Sequence, residues 1–75
     1  MQVMKIQKGK RIAKRKDIVK EWYLIQSGSV IQKLGLAEVT LGPNAIIGIL
    51  ERDWFICDYI AGEDTAVAAI PCGNA

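Results

Sequence analysis

The sequence predicts a small all-β domain, a sandwich or a barrel, across its 75 residues. Runs of β-branched and aromatic residues recur along the chain, and turn residues separate them at intervals of roughly eight to twelve positions. No sustained 3.6-residue apolar period is present, and the glycines fall at short intervals. Together these patterns predict about seven or eight short strands, which is typical of antiparallel sandwiches and barrels.

The first half of the chain supplies three predicted strands. "QVMKI" is the first strand, and a short edge strand is expected around residues 11–14, followed by a turn near Asp17. Lysines on such an edge strand discourage aggregation between sheet edges. "EWYLIQSG" is the clearest strand, because aromatic and aliphatic residues precede a break at Gly28.

The second half continues the same pattern. "SVIQKLG" and "LAEVTLG" predict a strand pair around a turn near Gly35, and "GPN" predicts the next turn because proline fixes φ and asparagine tolerates unusual backbone angles. "AII" is a strand that ends at Gly48, and "ILERDW" is the one place where a single helical turn is expected. "FICDYIA" and "TAVAAI" are the last strands, separated by the turn "GED" and ended by Pro71.

Length and charge predict one domain with two electrostatic parts. A chain of this length buries only about 60% of the surface that its unfolded form exposes, so a thin core is expected. Residues 1–20 contain eight Lys or Arg and one Asp, a charge of +7, whereas residues 21–75 contain two bases and seven acids, a charge of −5. We therefore expect a single domain over 1–75, with basic N-terminal strands (1–20), a barrel body (21–70) and a tail (71–75).

Several classes of protein are disfavoured by composition. No apolar run approaches the roughly 18 to 20 residues that cross a bilayer, and the N-terminus has no segment typical of a signal peptide, so a cytoplasmic location is expected. Cys57 and Cys72 lack CxxC spacing and the chain has no histidine, which predicts no ordinary zinc site and favours two buried free thiols. No motif indicates a cofactor or a metal.

Three stretches, in order, resemble the cyclic nucleotide-binding domain family of the catabolite-activator type. "WYLIQSGSVIQKLG" is similar to the family's third and fourth strands, "EVTLGPNAIIG" to the approach to its phosphate-binding cassette, and "AGEDTAVAAI" to the start of its last barrel strand. The resemblance covers roughly residues 8–70. It implies a double-stranded β-helix, or jelly roll, with a ligand cup between the two sheets. We expect this barrel to be short of the family's flanking helices.

The same resemblance implies a degenerate ligand site. Gly48 and Leu50 match the glycine and leucine that begin the cassette, but Ile49 stands where the family's glutamate accepts the ribose hydroxyl. Phe55 stands where an arginine pairs with the cyclic phosphate, and it has no charge and no donor. Because the cassette helix is also shortened or absent, we expect cyclic nucleotide binding to be lost and Ile49 and Phe55 to fill the cup.

Two binding alternatives remain open. Arg52 could hold a small anion or nucleotide together with backbone amides near Gly48, although a local ion pair with the neighbouring acids on a solvated turn is the simpler interpretation. Lys14, Arg15 and Lys16 could contact nucleic-acid phosphates, but no aromatic residue lies among them and no recognition helix follows. A solvated basic edge is the simpler interpretation there, and nucleic acid is not the favoured partner.

Catalysis is not expected. The acids Glu51, Asp53 and Asp58 have no histidine, metal ligand or nucleophile beside them, so a solvated turn explains them better than an acid/base site. We expect instead a non-catalytic sensor, regulatory or oligomerisation module. A homodimer is expected, with further domains or a partner protein as alternatives, and an exposed Trp54 would indicate an oligomer contact over the apolar rim.

Overall fold

Eight β-strands in two antiparallel sheets make up the domain in the computed structural model, which describes residues 2–51 and 53–72. The described residues contain no helix. The strands are β1 (Gln2–Ile6), β2 (Arg11–Ala13), β3 (Glu21–Ser27), β4 (Val30–Leu34), β5 (Ala37–Leu41), β6 (Ile46–Ile47), β7 (Asp58–Ala61) and β8 (Thr65–Pro71). The predicted all-β class is confirmed.

The order of the strands in the two sheets is that of a jelly roll. One sheet has the order β1-β8-β3-β6 and the other has the order β2-β7-β4-β5. Only β4 and β5 are hydrogen-bonded neighbours that also follow each other in the chain, and the other pairings join distant segments. The chain therefore passes back and forth between the sheets, as the predicted double-stranded β-helix requires.

The core lies between the sheets and is built from one face of each. Ile25, Val30, Ile47 and Val67 are almost completely buried, and they come from β3, β4, β6 and β8. The alternation of side chains along a strand explains this choice, because every second residue faces the opposite sheet. Apolar burial between the two sheets is the main force that holds them together.

Gly28 forms the corner at which the chain leaves β3 for the other sheet. Its φ of +88° lies in the left-handed region, and a Cβ built there would stand 2.6 Å from the Asp64 carbonyl oxygen. The Ser29 N–H donates to the buried Thr65 hydroxyl oxygen at 3.2 Å, and that hydroxyl lies 2.8 Å from the Glu63 carbonyl oxygen. The corner thus fixes the start of β8 against the start of β4.

Three details differ from the sequence-based expectations. In "ILERDW" the Glu51 N–H donates to the Gly48 carbonyl oxygen at 3.1 Å and closes a reverse turn, so the expected helical turn is wrong for the described residues. β7 starts only at Asp58, later than "FICDYIA" predicts. β8 ends at Pro71, as expected, but it includes that residue, opposite Glu21, and is thus one residue longer than "TAVAAI".

The structure also bears on two further expectations, the state of the cysteines and the presence of membrane-spanning helices. Cys57 and Cys72 are both free, as predicted, but only Cys57 is buried and Cys72 is partly exposed. Within residues 2–51 and 53–72, no helix is long and apolar enough to cross a membrane.

Candidate functional site

A hollow of about 370 Å³ opens between β4, β5, β6, β7 and the turn that follows β6. Most of its wall is apolar, and three polar side chains interrupt that wall. The wall is formed by Leu41, Ala45, Ile46, Ile47, Gly48, Leu50 and Ile56, with Gln32, Glu51 and Tyr59 as the polar members. This volume lies at the lower end of the range for pockets that take small molecules.

The three polar side chains form one hydrogen-bonded chain that ends on a carboxylate. Gln32 Nε2 donates to the Tyr59 hydroxyl oxygen at 3.1 Å, and the Tyr59 hydroxyl donates to Glu51 Oε1. Glu51 Oε2 accepts the Ile56 N–H at 2.6 Å. Glu51, which is partly buried at the end of the reverse turn, is therefore fixed against the barrel by two hydrogen bonds that the solvated-turn interpretation did not include.

Register explains why these groups meet. β4 and β7 pair antiparallel, with Gln32 directly opposite Tyr59, and side chains at opposite positions of neighbouring strands contact each other. Tyr59 is 2% exposed, and its ring meets the Phe55 ring edge-on, with centroids 6.0 Å apart and planes inclined at 73°. The reverse turn at 48–51 then brings Glu51 over the hydroxyl.

Burial changes the acidity of two groups beside the hollow. Burial, followed by the hydrogen bond and negative charge of Glu51, raises the pKa of Tyr59 well above its ordinary value. Burial also raises the pKa of the Cys57 thiol. Tyr59 therefore stays a proton donor at any physiological pH, and Cys57 stays a thiol.

Of the residues that the resemblance assigns to the cassette, some are buried in the core and others are exposed to solvent. Phe55 is 4% exposed and belongs to the core cluster, whereas Ile49 is 45% exposed and Leu50 is 94% exposed. The expectation that Ile49 and Phe55 both fill the cup is therefore wrong for Ile49, whose side chain lies at the surface. Neither residue lines the hollow, and Arg52 lies outside the described residues.

Gly48 is buried because the chain turns sharply under two aromatic rings. Its φ is +97°, and a Cβ there would lie 3.3 Å from Phe55 Cε1 and 3.4 Å from Trp22 Cδ1. Phe55 itself is held in place through its backbone, since its N–H donates to the Asp17 carbonyl oxygen at 2.9 Å and its carbonyl oxygen accepts the Lys16 N–H at 2.8 Å. These bonds lay residues 53–55 alongside 16–19.

The basic segment 14–16 lies at the surface, and none of its residues lines the hollow. Lys14, Arg15 and Lys16 are exposed in the turn after β2, and Lys16 has a φ of +75°. The Arg15 N–H donates to Asp58 Oδ1 at 2.8 Å. Among the described side chains, Lys33 and Glu38 form the ion pair, at 3.2 Å. The contact between the basic N-terminal strands and Asp58 of the barrel body is therefore made through a backbone N–H group. Nucleic-acid binding by these residues stays an untested alternative.

The Gln32–Tyr59–Glu51 chain was not predicted from the sequence. A glutamine inside the apolar run "SVIQKLG" was the available signal, since a polar side chain on the inner face of a strand needs a partner. The described residues contain no group of three or more His, Cys, Asp or Glu side chains placed to hold a metal ion.

This chain is similar to known proteins in its three-dimensional structure. The sequence matches no protein-family model and no curated protein. The fold superimposes on the catabolite activator protein of Thermus thermophilus with a TM-score of 0.76 and 29% identity, covering 93% of this chain and 37% of that one.

Two further structures agree with this match. A protein from Geobacter metallireducens GS-15 that is named for cyclic nucleotide binding gives a TM-score of 0.84 at 18% identity, over 93% of this chain and 55% of that one. The N-terminal domain of a transcriptional regulator from Streptomyces coelicolor A3(2) gives 0.81 at 17% identity, over 99% of this chain and 58% of the other. This chain thus spans between 37% and 58% of the length of these three structures.

Each of these matches covers at least 93% of this chain and therefore includes strands of both sheets. The chain therefore has the jelly-roll fold of the cyclic nucleotide-binding domains of the catabolite-activator type.

Proposed function

We propose that this chain is a non-catalytic regulatory or oligomerisation module of the cyclic nucleotide-binding type that no longer binds cyclic nucleotides. The observation that carries the proposal is the carboxylate of Glu51 in the wall of the hollow. Among the described residues, no lysine or arginine lines that hollow. A phosphate placed there would meet negative charge and no described cation.

The electrostatic cost of such a placement is large. Two like unit charges 4 Å apart repel by about 4 kcal/mol at an effective dielectric constant of 20. A repulsion of this size weakens binding by roughly a thousandfold. Loss of the ion pair that the arginine provides in the family adds to this cost, because Phe55 stands at that position and is buried in the core.

Isothermal titration of the chain with cyclic AMP and with cyclic GMP tests the loss of binding. We expect no saturable heat at ligand concentrations up to about 1 mM. A Kd of about 1 mM corresponds to a binding free energy of only about 4 kcal/mol. Saturable binding of either nucleotide with one-to-one stoichiometry overturns this part of the proposal.

A second copy of the chain is the partner that we propose for the apolar rim. The rim consists of exposed residues within the reverse turn and on either side of it: Ile46, Ile49, Leu50, Trp54 and Ile56. Trp54 is 56% exposed, and its backbone bridges Ile18, which is 67% exposed. Exposed apolar patches of this kind mark interaction sites.

Charges of both signs surround this patch, which favours a symmetric contact. Asp53 precedes Trp54, and Lys16, Asp17 and Lys20 lie beside Ile18. A two-fold interface requires a surface that complements itself, and a patch with an apolar centre and both charge signs at its edge has this property.

Light scattering coupled to size-exclusion chromatography tests the dimer with a matched pair of variants. We expect Trp54→Lys to convert the dimer to a monomer. Val3→Lys introduces the same charge at a residue with 52% exposure on β1, at the opposite edge of its sheet from β6, and is expected to leave the dimer intact. A wild-type chain that is monomeric at all concentrations refutes the dimer.

A further inference from the structure

The hollow differs from an anion site in the direction of its hydrogen bonds. Gln32 donates to Tyr59, and Tyr59 donates its single hydroxyl proton to Glu51, so the chain of donors ends on the carboxylate. A tyrosine has one O–H, whereas an ionised carboxylate has roughly four acceptor sites. Described residues occupy two of those sites on Glu51, through the Tyr59 hydroxyl and the Ile56 N–H.

The polar groups in the wall of the hollow that have no partner among the described residues are therefore hydrogen-bond acceptors. Toward the described residues Glu51 keeps free lone pairs, and the Gln32 carbonyl oxygen is also an acceptor because its amide nitrogen faces Tyr59. The rest of the wall is aliphatic, with Leu41, Ile47 and Ile56 among its members. A ligand that fits this wall has an apolar body and a group that donates several hydrogen bonds.

We propose that the hollow binds a small organic ammonium ion, a primary amine carried on an apolar group, with Glu51 as the counter-ion. A protonated amine has three donors and no acceptor, which matches a carboxylate with unused lone pairs. Hydrogen bonds between two charged partners are about twice as strong as neutral ones, and an apolar surrounding strengthens them further. The inference rests on the proposed function, since it requires a hollow that no longer takes an anionic nucleotide.

Size sets the scale of the ligand. A hollow of about 370 Å³ lies at the lower end of the range for small-molecule pockets, so a single ring with a short side chain fits within it. Benzylamine has this size and is protonated at neutral pH. Benzyl alcohol and benzoate are its neutral and anionic counterparts.

The test is a titration of the isotope-labelled chain with each of these three compounds, followed by amide chemical shifts. We expect benzylamine to shift the amides of Gln32, Ile56 and Tyr59, and to bind at least about tenfold more tightly than benzyl alcohol. Benzoate is expected to bind more weakly than benzyl alcohol because Glu51 repels it. This comparison uses the wild-type chain and does not depend on the folding of any variant.

A matched pair of variants assigns the effect to Glu51. Glu51→Gln is expected to reduce benzylamine binding to the level of benzyl alcohol. Glu21→Gln is the control, because Glu21 also accepts a tyrosine hydroxyl, that of Tyr23 at 3.4 Å, but does not line the hollow. The control is expected to leave benzylamine binding unchanged.

The outcomes separate this inference from the proposed function. Benzoate binding that exceeds benzylamine binding and disappears in Arg52→Ala would identify an anion site, and would overturn the inference. Absence of binding by all three compounds also overturns it, but leaves the loss of cyclic nucleotide binding untouched. Binding of cyclic AMP overturns the proposed function whatever benzylamine does.

Discussion

Replacement of Gly28 by alanine tests the corner between β3 and β4. At this position the added methyl group meets backbone on two sides, 2.6 Å from the Asp64 carbonyl oxygen and 2.8 Å from Thr65 Cα. Neither atom belongs to a flexible side chain, so the two chain segments must separate. Gly35 is the matched control, because its φ is +64° and nothing lies within 4 Å of the Cβ that alanine would add.

The free-energy difference between the two variants can be estimated from these contacts. A non-glycine residue in the left-handed region costs about 1 to 2 kcal/mol, and both variants carry this cost. Overpacking adds about 1 to 3 kcal/mol, and only Gly28→Ala carries that addition. A domain of this size has a stability of roughly 4 to 11 kcal/mol, so the Gly28 variant loses a large share of it.

Thermal and urea unfolding followed by circular dichroism measure the difference. We expect Gly28→Ala to have a Tm at least about 5 °C below that of Gly35→Ala, since 1 kcal/mol corresponds to about 4 to 8 °C in small domains. Equal losses of stability would mean that the corner has room for a methyl group, and the proposed role of Gly28 in fixing β8 against β4 would then be refuted.

Three further predictions concern the hollow and its surroundings. Phe55→Ala is expected to lower the free energy of unfolding by about 3 to 5 kcal/mol, and Ile49→Ala by less than about 1 kcal/mol, in urea titrations; similar losses would contradict their different burial. Stability is expected to fall as the pH rises above about 10, because unfolded Tyr59 loses its proton before folded Tyr59 does, and Tyr59→Phe should flatten this decline. A thiol reagent is expected to label Cys72 in the folded chain and Cys57 only on unfolding, and equal labelling rates would argue against the burial of Cys57.

The fold was largely predictable from the sequence, because the signals for it are local. The strand from 21 to 27 and the hairpin around Gly35 lie where alternation and glycine predict them. Local rules failed where the backbone partner is distant: residues 53–55 pair with 16–19, and this pairing replaces the expected helical turn. No short-range pattern contains that information.

The candidate site was predictable only in part, for a related reason. Alignment with the family correctly placed Phe55 at a position that turns inward, but the position of Ile49 depends on the path of the turn after Gly48. The role of Glu51 depends on the register between β4 and β7, which sets Tyr59 opposite Gln32. Charge and spacing along the chain made Glu51 resemble any acid in an exposed turn.

The position of β8 between β1 and β3 has a consequence for the folding of this chain. Gln2 pairs with Ala69, and Ile6 pairs with Thr65. β1 therefore has no strand to pair with until β8 is present. Closing so long a loop is costly in entropy, and topologies dominated by distant pairings fold in milliseconds to seconds. During synthesis, β1 therefore emerges as an unpaired strand and completes its sheet only after almost all of the domain has left the ribosome.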